Sequence, residues 1–439
     1  MTPRASFSVL APRGAGVIGF FGLLLLVVSI IQGPAVSFAE TGEVGSLEAD
    51  RIAELSAIGY VSGSEVAGAE KGVVRRDRER SAAGFNLLTS GHAPVALLMD
   101  MDGRVVHEWT AAFEDVFPDH PRSGGEQPIR RNFWREAILL PDGGIIVIWD
   151  LFGIFKLDRN SNVVWAVPEP AHHDLQLDGL GQIVHLQAKR KVIAGIPEQP
   201  SVEDFIVTRN AEGRELGRVA VSDALRNVNW KKLRLNFWRR AEARGYGLDE
   251  RSAFDPFHTN SLRLLSQSDA ASLGDPFKAG DALVSMAMLD TIAIIDLEQG
   301  LTRWSQQGPF GMQHSARMTP GGEILLFNNF ETNSESSVIA LDPRTRAVVW
   351  SYPGEGQAAL HSRRSGGVQI LDNGNRLITE TDGGRALEVT PEGDVVWEFH
   401  SPYRAGEGGQ KVAHLYSLER VGEEQTGWLG SEETRDSGQ

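Results

Sequence analysis

Cysteine is absent from the 439-residue chain, which excludes a disulfide framework, a thiolate nucleophile and a cysteine-ligated metal. Positive charge is scarce too: 43 Lys and Arg stand against 58 Asp and Glu, a formal net charge of −15. A surface of that sign argues against nucleic acid as a partner. For an exported protein, stability must then come from packing alone. Glycine is plentiful, at 48 residues, and points to many turns. Length and apolar content suffice for one large domain or two ordinary ones.

Arg4 and Arg13 form a basic start, Val17 to Ile31 is almost wholly apolar, and Ser37-Phe38-Ala39 offers small residues at the spacing a signal peptidase reads. Residues 1–39 are therefore predicted to be a signal peptide cut after Ala39, with the mature protein periplasmic or secreted. The alternative is a retained membrane anchor, since residues 16–38 nearly span a bilayer. Residues 40–83 read as a connector. Leu47, Ile52, Leu55 and Ile58 have near-helical spacing for one short helix, and KGVVRRDRER reads as a solvated, flexible run of mixed charge.

From Gly84 short apolar runs alternate with turn residues, the pattern of an all-β protein. LLMDMDGRVVHEW, FKLDRNSNVVWAV, IAIIDLEQGLTRW, IALDPRTRAVVW and LEVTPEGDVVWEF each read as a hairpin carrying a tryptophan in its second strand: Trp109, Trp165, Trp304, Trp350 and Trp397. EDFIVTRNAEGRELGRV is a sixth copy without tryptophan. Repeats of this length, with about four short strands each, predict a six-bladed β-propeller over 84–421. The first blade lacks an inner strand, and VAHLYSLERV near the carboxyl end is spare, so this C-terminal strand is predicted to close the first blade. Residues 222–255 break the repeat with helical composition and with Lys231, Lys232, Arg234, Arg239 and Arg240. They read either as a solvated surface helix or as a lid over one mouth that attracts an anion. Residues 422–439 read as a tail.

Inner strands line a propeller's channel, so residues at one repeat position converge there. Counting back eight residues from Gly143, Gly181, Gly322 and Gly374 gives Arg135, His173, His314 and Gly366. His258 and His414 are assigned to the same position in the other two blades. Four histidines and an arginine would then ring one mouth. Imidazole is a nucleophile or proton shuttle near neutral pH and, when protonated, an anion-binding group. Three neutral imidazoles equally suit zinc or another transition metal. A metal-dependent lyase or hydrolase thus stays open, as does a non-catalytic channel for small anionic or aromatic ligands. His92, His107, His120, His185 and His400 read as structural or exposed. Asp174 either holds an imidazole tautomer or caps a turn, and Arg317, three residues past His314, falls on the opposite face of an ideal strand.

HHDL, DPFHTNSL, MQHSARMTPGGEILLFNN and the tryptophan hairpins together resemble the bacterial arylsulfotransferases, from about Gly84 to Arg420. The resemblance implies a six-bladed propeller exported to the periplasm. It implies transfer of a sulfuryl group from a phenolic sulfate ester to a phenol through a sulfohistidine, without 3′-phosphoadenosine 5′-phosphosulfate. His314 matches the nucleophile, following a glutamine and preceding a Pro-Gly turn and Phe327-Asn328-Asn329. His258 and His173 match groups that stabilise the sulfuryl oxygens. Arg135, His414, His172, Asn260 and Arg317 are the expected substrate contacts, with no cofactor and no metal. An aryl sulfate donor and a phenolic acceptor are the expected partners; a membrane enters only if the amino-terminal segment is retained, and a homodimer stays open. Two departures stand out. The family's channel arginine on the strand after His-x-Asn-Ser falls here near Ala287, between Met286 and Met288; either Arg135 supplies the charge from another blade, or the substrate preference differs, or the chain binds without turnover. The family's cysteines and amino-terminal β-domain are also missing.

Overall fold

The computed structural model of the chain describes residues 63–120, 132–196, 200–243, 255–330, 335–353 and 359–431. The expected signal peptide and connector helix lie outside them. Runs of β-branched and aromatic residues, set off by turns, make six antiparallel sheets, five of four strands and one of five, beside a small two-stranded ribbon. The inner strands of blades 1 to 6 are Leu415–Val421, Glu136–Leu139, Ala171–Leu177, Thr259–Leu264, His314–Met318 and Gly367–Ile370. Each contacts the next and the last contacts the first, which closes a six-bladed propeller. Leu415–Val421 pairs with Phe85–Ser90, so the first blade is built from both ends of the domain, as its missing strand required.

Packing explains the apolar runs. Strands such as VALLM, IIVIW, ILLFN and SVIAL are buried on both faces because a neighbouring blade covers each. One apolar cluster fills each of the six blade interfaces. At about 1.5–3 kcal/mol for each large aliphatic or aromatic side chain, this burial is the main support of a domain without disulfides.

The tryptophans add directional pins between blades. The indoles of Trp165, Trp304, Trp350 and Trp397 donate to carbonyls of Ala211, Pro343, Pro391 and Met101, each in the outer turn of the next blade. Blade 1 differs. Ladder register gives its pin position to His107, whose Nε2 meets Arg159 O at 2.8 Å, while Trp109 lies two residues deeper and donates to Gly143 O at 3.0 Å. Blade 3 has no tryptophan, and the inserted segment fills the gap: Arg226 donates to Gly300 O at 2.6 Å and Gln299 O at 3.2 Å in the outer turn of blade 4. The start of the insertion is thus an inter-blade wedge.

Three further regions bear on the sequence reading, two of them departing from it. KGVVRRDRER is not a free run: Gly72–Arg76 pairs with Val395–His400 as the fifth strand of blade 6, covering an otherwise unpaired edge. The segment before it crosses to the two-stranded ribbon that precedes the closing strand, where Val412 N donates to Glu65 O at 3.1 Å. The first part of the tail also docks, since Trp428 is buried against Trp109 and His107. In the insertion, the helix Trp230–Ala243 is formed as composition suggested, and it lies on the turn Ala287–Leu289 of blade 4, with Phe237 and Ala241 packed on Met288.

Candidate functional site

Backbone register, rather than residue type, identifies the channel position. In blades 2 to 6 the amides of Leu140, Asp178, Leu265, Thr319 and Leu371 close the turn after each inner strand. The residues five positions earlier are Arg135, His173, Asn260, His314 and Gly366. Blade 1 is closed by Tyr416, bulged between Leu415 and Ser417. Two assignments therefore move: Asn260, not His258, is the counterpart of His314, and Tyr416 replaces His414. Both histidines fall two residues early because no short turn measures the distance in their blades: blade 4 carries residues 266–280 between Leu265 and Asp281, and the blade 1 strand pairs with one from the other end of the domain. Gly366 has its own reason, as an added Cβ would come within 2.5 Å of the Phe327 ring.

A cavity of about 50 Å³ lies at this level, lined by Arg135, Glu136, His173, Asn260, His314 and Tyr416 among others. It has room for a few ordered waters or one small anion. Arg317 lines it as well, contrary to the ideal-strand reading. The cause is the bulge after His314, where Ser315 adopts φ 54° and restores Arg317 to the channel side.

His314 is buried, and its environment selects one tautomer. Its Nδ1 lies 2.8 Å from Asn329 Oδ1 and 3.0 Å from Met312 O. Asn329 cannot be turned round, because its Nδ2 already donates to Ser362 O at 2.7 Å and Ser365 O at 2.9 Å. Both neighbours of Nδ1 are acceptors, so Nδ1 carries the proton and Nε2 keeps its lone pair. Nε2 is buried with no hydrogen-bond partner among the described residues. Burial pushes the imidazole pKa down to about 3, with Arg135 and His258 adding to the effect against the bonds from Asn329 and Met312. His314 is therefore neutral at physiological pH.

The other imidazoles crowd in. The ring of His173 lies 5.0 Å from that of His258 and 6.3 Å from that of His314. Burial holds His173 well below the usual imidazole range, assisted by the Arg135 charge. His172 Nδ1 meets His173 Nδ1 at 2.8 Å, and its Nε2 lies 3.4 Å from the buried Asp204. His258 goes the opposite way. Burial opposes its charge, but Asp255, with Oδ2 at 2.6 Å from Nδ1, and Asp204 outweigh that and raise its pKa. One imidazole whose charge is favoured and two whose charge is opposed thus lie together at the mouth.

Arg135 supplies a guanidinium. It donates to Ser365 Oγ at 3.1 Å and lies 4.8 Å from the Tyr416 ring centroid, with no carboxylate bound to it among the described residues. Near Ala287 the turn is apolar and buried, as its sequence suggested. The inserted helix brings Arg240 close to it, but Asp290 pairs with that guanidinium at 2.6 Å. The remaining candidates fall elsewhere. His414 contacts Ser64 Oγ at 2.9 Å and Asp382 at 3.5 Å outside the cavity lining, and burial takes its pKa down to about 4. Asn260 donates from Nδ2 to Gln313 O at 2.8 Å, leaving its buried Oδ1 unpartnered among the described residues. Asp174 neither holds an imidazole nor caps a turn: it accepts from Leu262 N and Arg263 on the inner strand of the next blade. Sequence reasoning passed over Asn329, Glu136 and Tyr416 as functional side chains. The Phe327-Asn328-Asn329 string was the available signal for the first; the others needed the register. Among the described residues, no group of three His, Asp or Glu side chains is arranged to hold a metal ion.

Among solved structures, a protein of unknown function from Bacteroides caccae is 13% identical, with 76% of this chain and 98% of that one covered and a TM-score of 0.47. A streptogramin B lyase is 12% identical over 81% of this chain and 97% of its own, at a TM-score of 0.41. The virginiamycin B lyase of Staphylococcus aureus is 9% identical over 66% and 86%, at 0.36. No conclusion about chemistry rests on these likenesses. No curated protein matches the sequence. A family model described as Arylsulfotransferase (ASST) matches residues 136–402, more than half of the chain and five of the six blades, and this chain belongs to the arylsulfotransferase family.

Proposed function

We propose that the protein transfers a sulfuryl group from a phenolic sulfate ester to a phenol through a covalent intermediate on His314, without 3′-phosphoadenosine 5′-phosphosulfate. The observation that carries this reading is the His314 ring itself, with Nδ1 committed to Asn329 Oδ1 and the Met312 carbonyl and Nε2 neutral and unpartnered among the described residues. Such a nitrogen can attack without first losing a proton.

In the first step Nε2 forms a bond to sulfur as the sulfur–oxygen bond to the aryl group breaks and the phenolate leaves. The ring becomes a sulfonated imidazolium whose Nδ1–H stays bonded to Asn329. In the second step an acceptor phenol reverses this, and the proton it gives up balances the one taken by the departing phenolate. Arg135 and His258 face the sulfuryl oxygens with positive charge, and His173 and Asn260 complete the polar wall. Fixed charges of this kind stabilise charge developing in a transition state far better than water does. Arg135 stands in for the cation missing near Ala287.

The test is an incubation of purified protein with 4-nitrophenyl sulfate and an unlabelled phenol, beside His314→Asn. The wild type should release 4-nitrophenol and form the new ester, and the variant should lose at least about 10³-fold in rate. Equal product from both would refute the nucleophile. We further propose a periplasmic or secreted location after cleavage at Ala39, supported by the basic, apolar and small-residue order of residues 1–39. Intact mass of the native protein checks it, and retention of Met1 to Ala39 would indicate an anchor.

A further inference from the structure

Below the ring of Arg135, His173, Asn260 and His314 lies a second tier of charged side chains in the same cavity. It holds three carboxyl groups and two guanidiniums. Asp174 accepts from Arg263 at 2.6 Å and from Leu262 N at 2.8 Å. Glu419 accepts from Arg317 and lies 3.4 Å from Arg263. Both cations are committed to these two acids. Glu136, the residue after Arg135, receives only the Ser417 hydroxyl at 2.7 Å and the Ala137 amide at 3.2 Å, with no guanidinium bonded to it among the described residues.

We propose, on the sulfuryl-transfer reading above, that Glu136 is held as the neutral acid and donates a hydrogen bond to an oxygen of the tetrahedral sulfuryl group bound among Arg135, His173 and His314.

The surroundings of Glu136 all bear on its proton. Blade 1 presents Tyr416, Ser417 and Glu419; blade 3 presents His173, Asp174 and Gln176; Arg263 and Arg317 lie across the channel. On its own sheet the next strand, Ile145–Trp149, is wholly apolar, and from behind Thr89 binds the Arg135 carbonyl. Burial, then the charges of Glu419 and Asp174, push Glu136 up to about 8, while Ser417 and Arg263 pull it down less strongly. An anion bound one tier away adds negative charge and favours the proton further. A carboxylate there would repel a sulfate ester, whereas the acid offers an O–H donor without adding net charge. Enzymes with a carboxylic acid kept neutral for this purpose in an oxyanion site are known. The role is useful where the cation expected near Ala287 is missing.

Titration calorimetry of the full chain with inorganic sulfate, in two buffers of different ionisation enthalpy and on either side of pH 8, separates this inference from turnover. Above pH 8 the wild type should take up a proton with each sulfate. Glu136→Gln, which keeps a donor but cannot ionise, should take up correspondingly less, since His258 contributes equally to both proteins. Glu136→Ala should bind sulfate about tenfold more weakly on both sides of pH 8. A wild type that binds without proton uptake, or a Glu136→Gln variant with the same uptake as wild type, overturns the inference, as does undiminished affinity in Glu136→Ala. Sulfate binding with these signatures in a protein that transfers no sulfuryl group would refute the catalytic reading and leave the role of Glu136 standing.

Discussion

The outside and the inside of this propeller repeat in opposite ways. On the outside, one contact recurs and the side chain changes: indoles in blades 2, 4, 5 and 6, His107 in blade 1, and Arg226 borrowed from the insertion for blade 3 each meet a carbonyl in the next blade's turn. On the inside, one position recurs and the chemistry changes, through Arg135, His173, Asn260, His314, Gly366 and Tyr416. A mechanical joint needs only a donor of suitable reach, so unlike residues can serve. A channel that receives one unsymmetrical ligand needs a different group from each blade. Breaking the six-fold symmetry at the axis is what turns a ring of sheets into a site.

That contrast predicts a separation of effects. Trp397 is fully buried in the blade 6 to blade 1 interface, stacks on Phe399 and donates to Met101 O at 3.1 Å. Trp397→Ala should cost about 3–5 kcal/mol in denaturant unfolding, the usual range for emptying a buried large aromatic site. The turnover of molecules that remain folded should be little changed. A fall in rate per folded molecule as large as the fall in stability would erase the distinction between the two belts. From the inside, Arg135→Gln should lower kcat/KM by about 100-fold, the usual scale for removing one preorganised group from a transition state, with little change in melting temperature. If it mainly destabilises, Arg135 is a joint and the site has lost its cation.

The sequence showed the outer belt more readily than the inner one. Tryptophans announced five of the six hairpins, and a missing first strand matched by a spare last one announced the closure; both rest on patterns that burial enforces at period two. His107 was hidden because Trp109, two residues on, has the same side-chain parity and the expected residue type. Arg226 was hidden because its insertion follows no repeat. Inside, Arg135, His173 and His314 could be found by counting because their turns are equally long. Blades 4 and 1 have no turn of that length to count from, so His258 and His414 stand two residues before Asn260 and Tyr416, which hold the position in the ladder. Glu136 gave no signal at all, since nothing in the letters shows that both nearby guanidiniums are already taken.

The smallest expected effect concerns His258, the imidazole beside the ring whose charge its carboxylate neighbours favour. His258 is raised although burial opposes it, because Asp255 and Asp204 favour the proton. Its share of stability is therefore fully present below the unfolded imidazole value of about 6.5 and is lost as pH rises through the folded value. Asp255 is held low by His258 despite its own burial, so its share is present above the ordinary carboxylate range and lost on acidification. Asp255→Asn should accordingly be least stable relative to wild type between those limits, in denaturant melts across pH. In activity, loss of the His258 proton removes positive charge facing the sulfuryl oxygens, so kcat/KM should decline on the alkaline side. Asp255→Asn should move that decline to lower pH, because its amide no longer favours imidazolium. A descending limb that stays in place in Asp255→Asn would show that His258 does not govern it, and the positive charge of the inner ring would then rest on Arg135 alone.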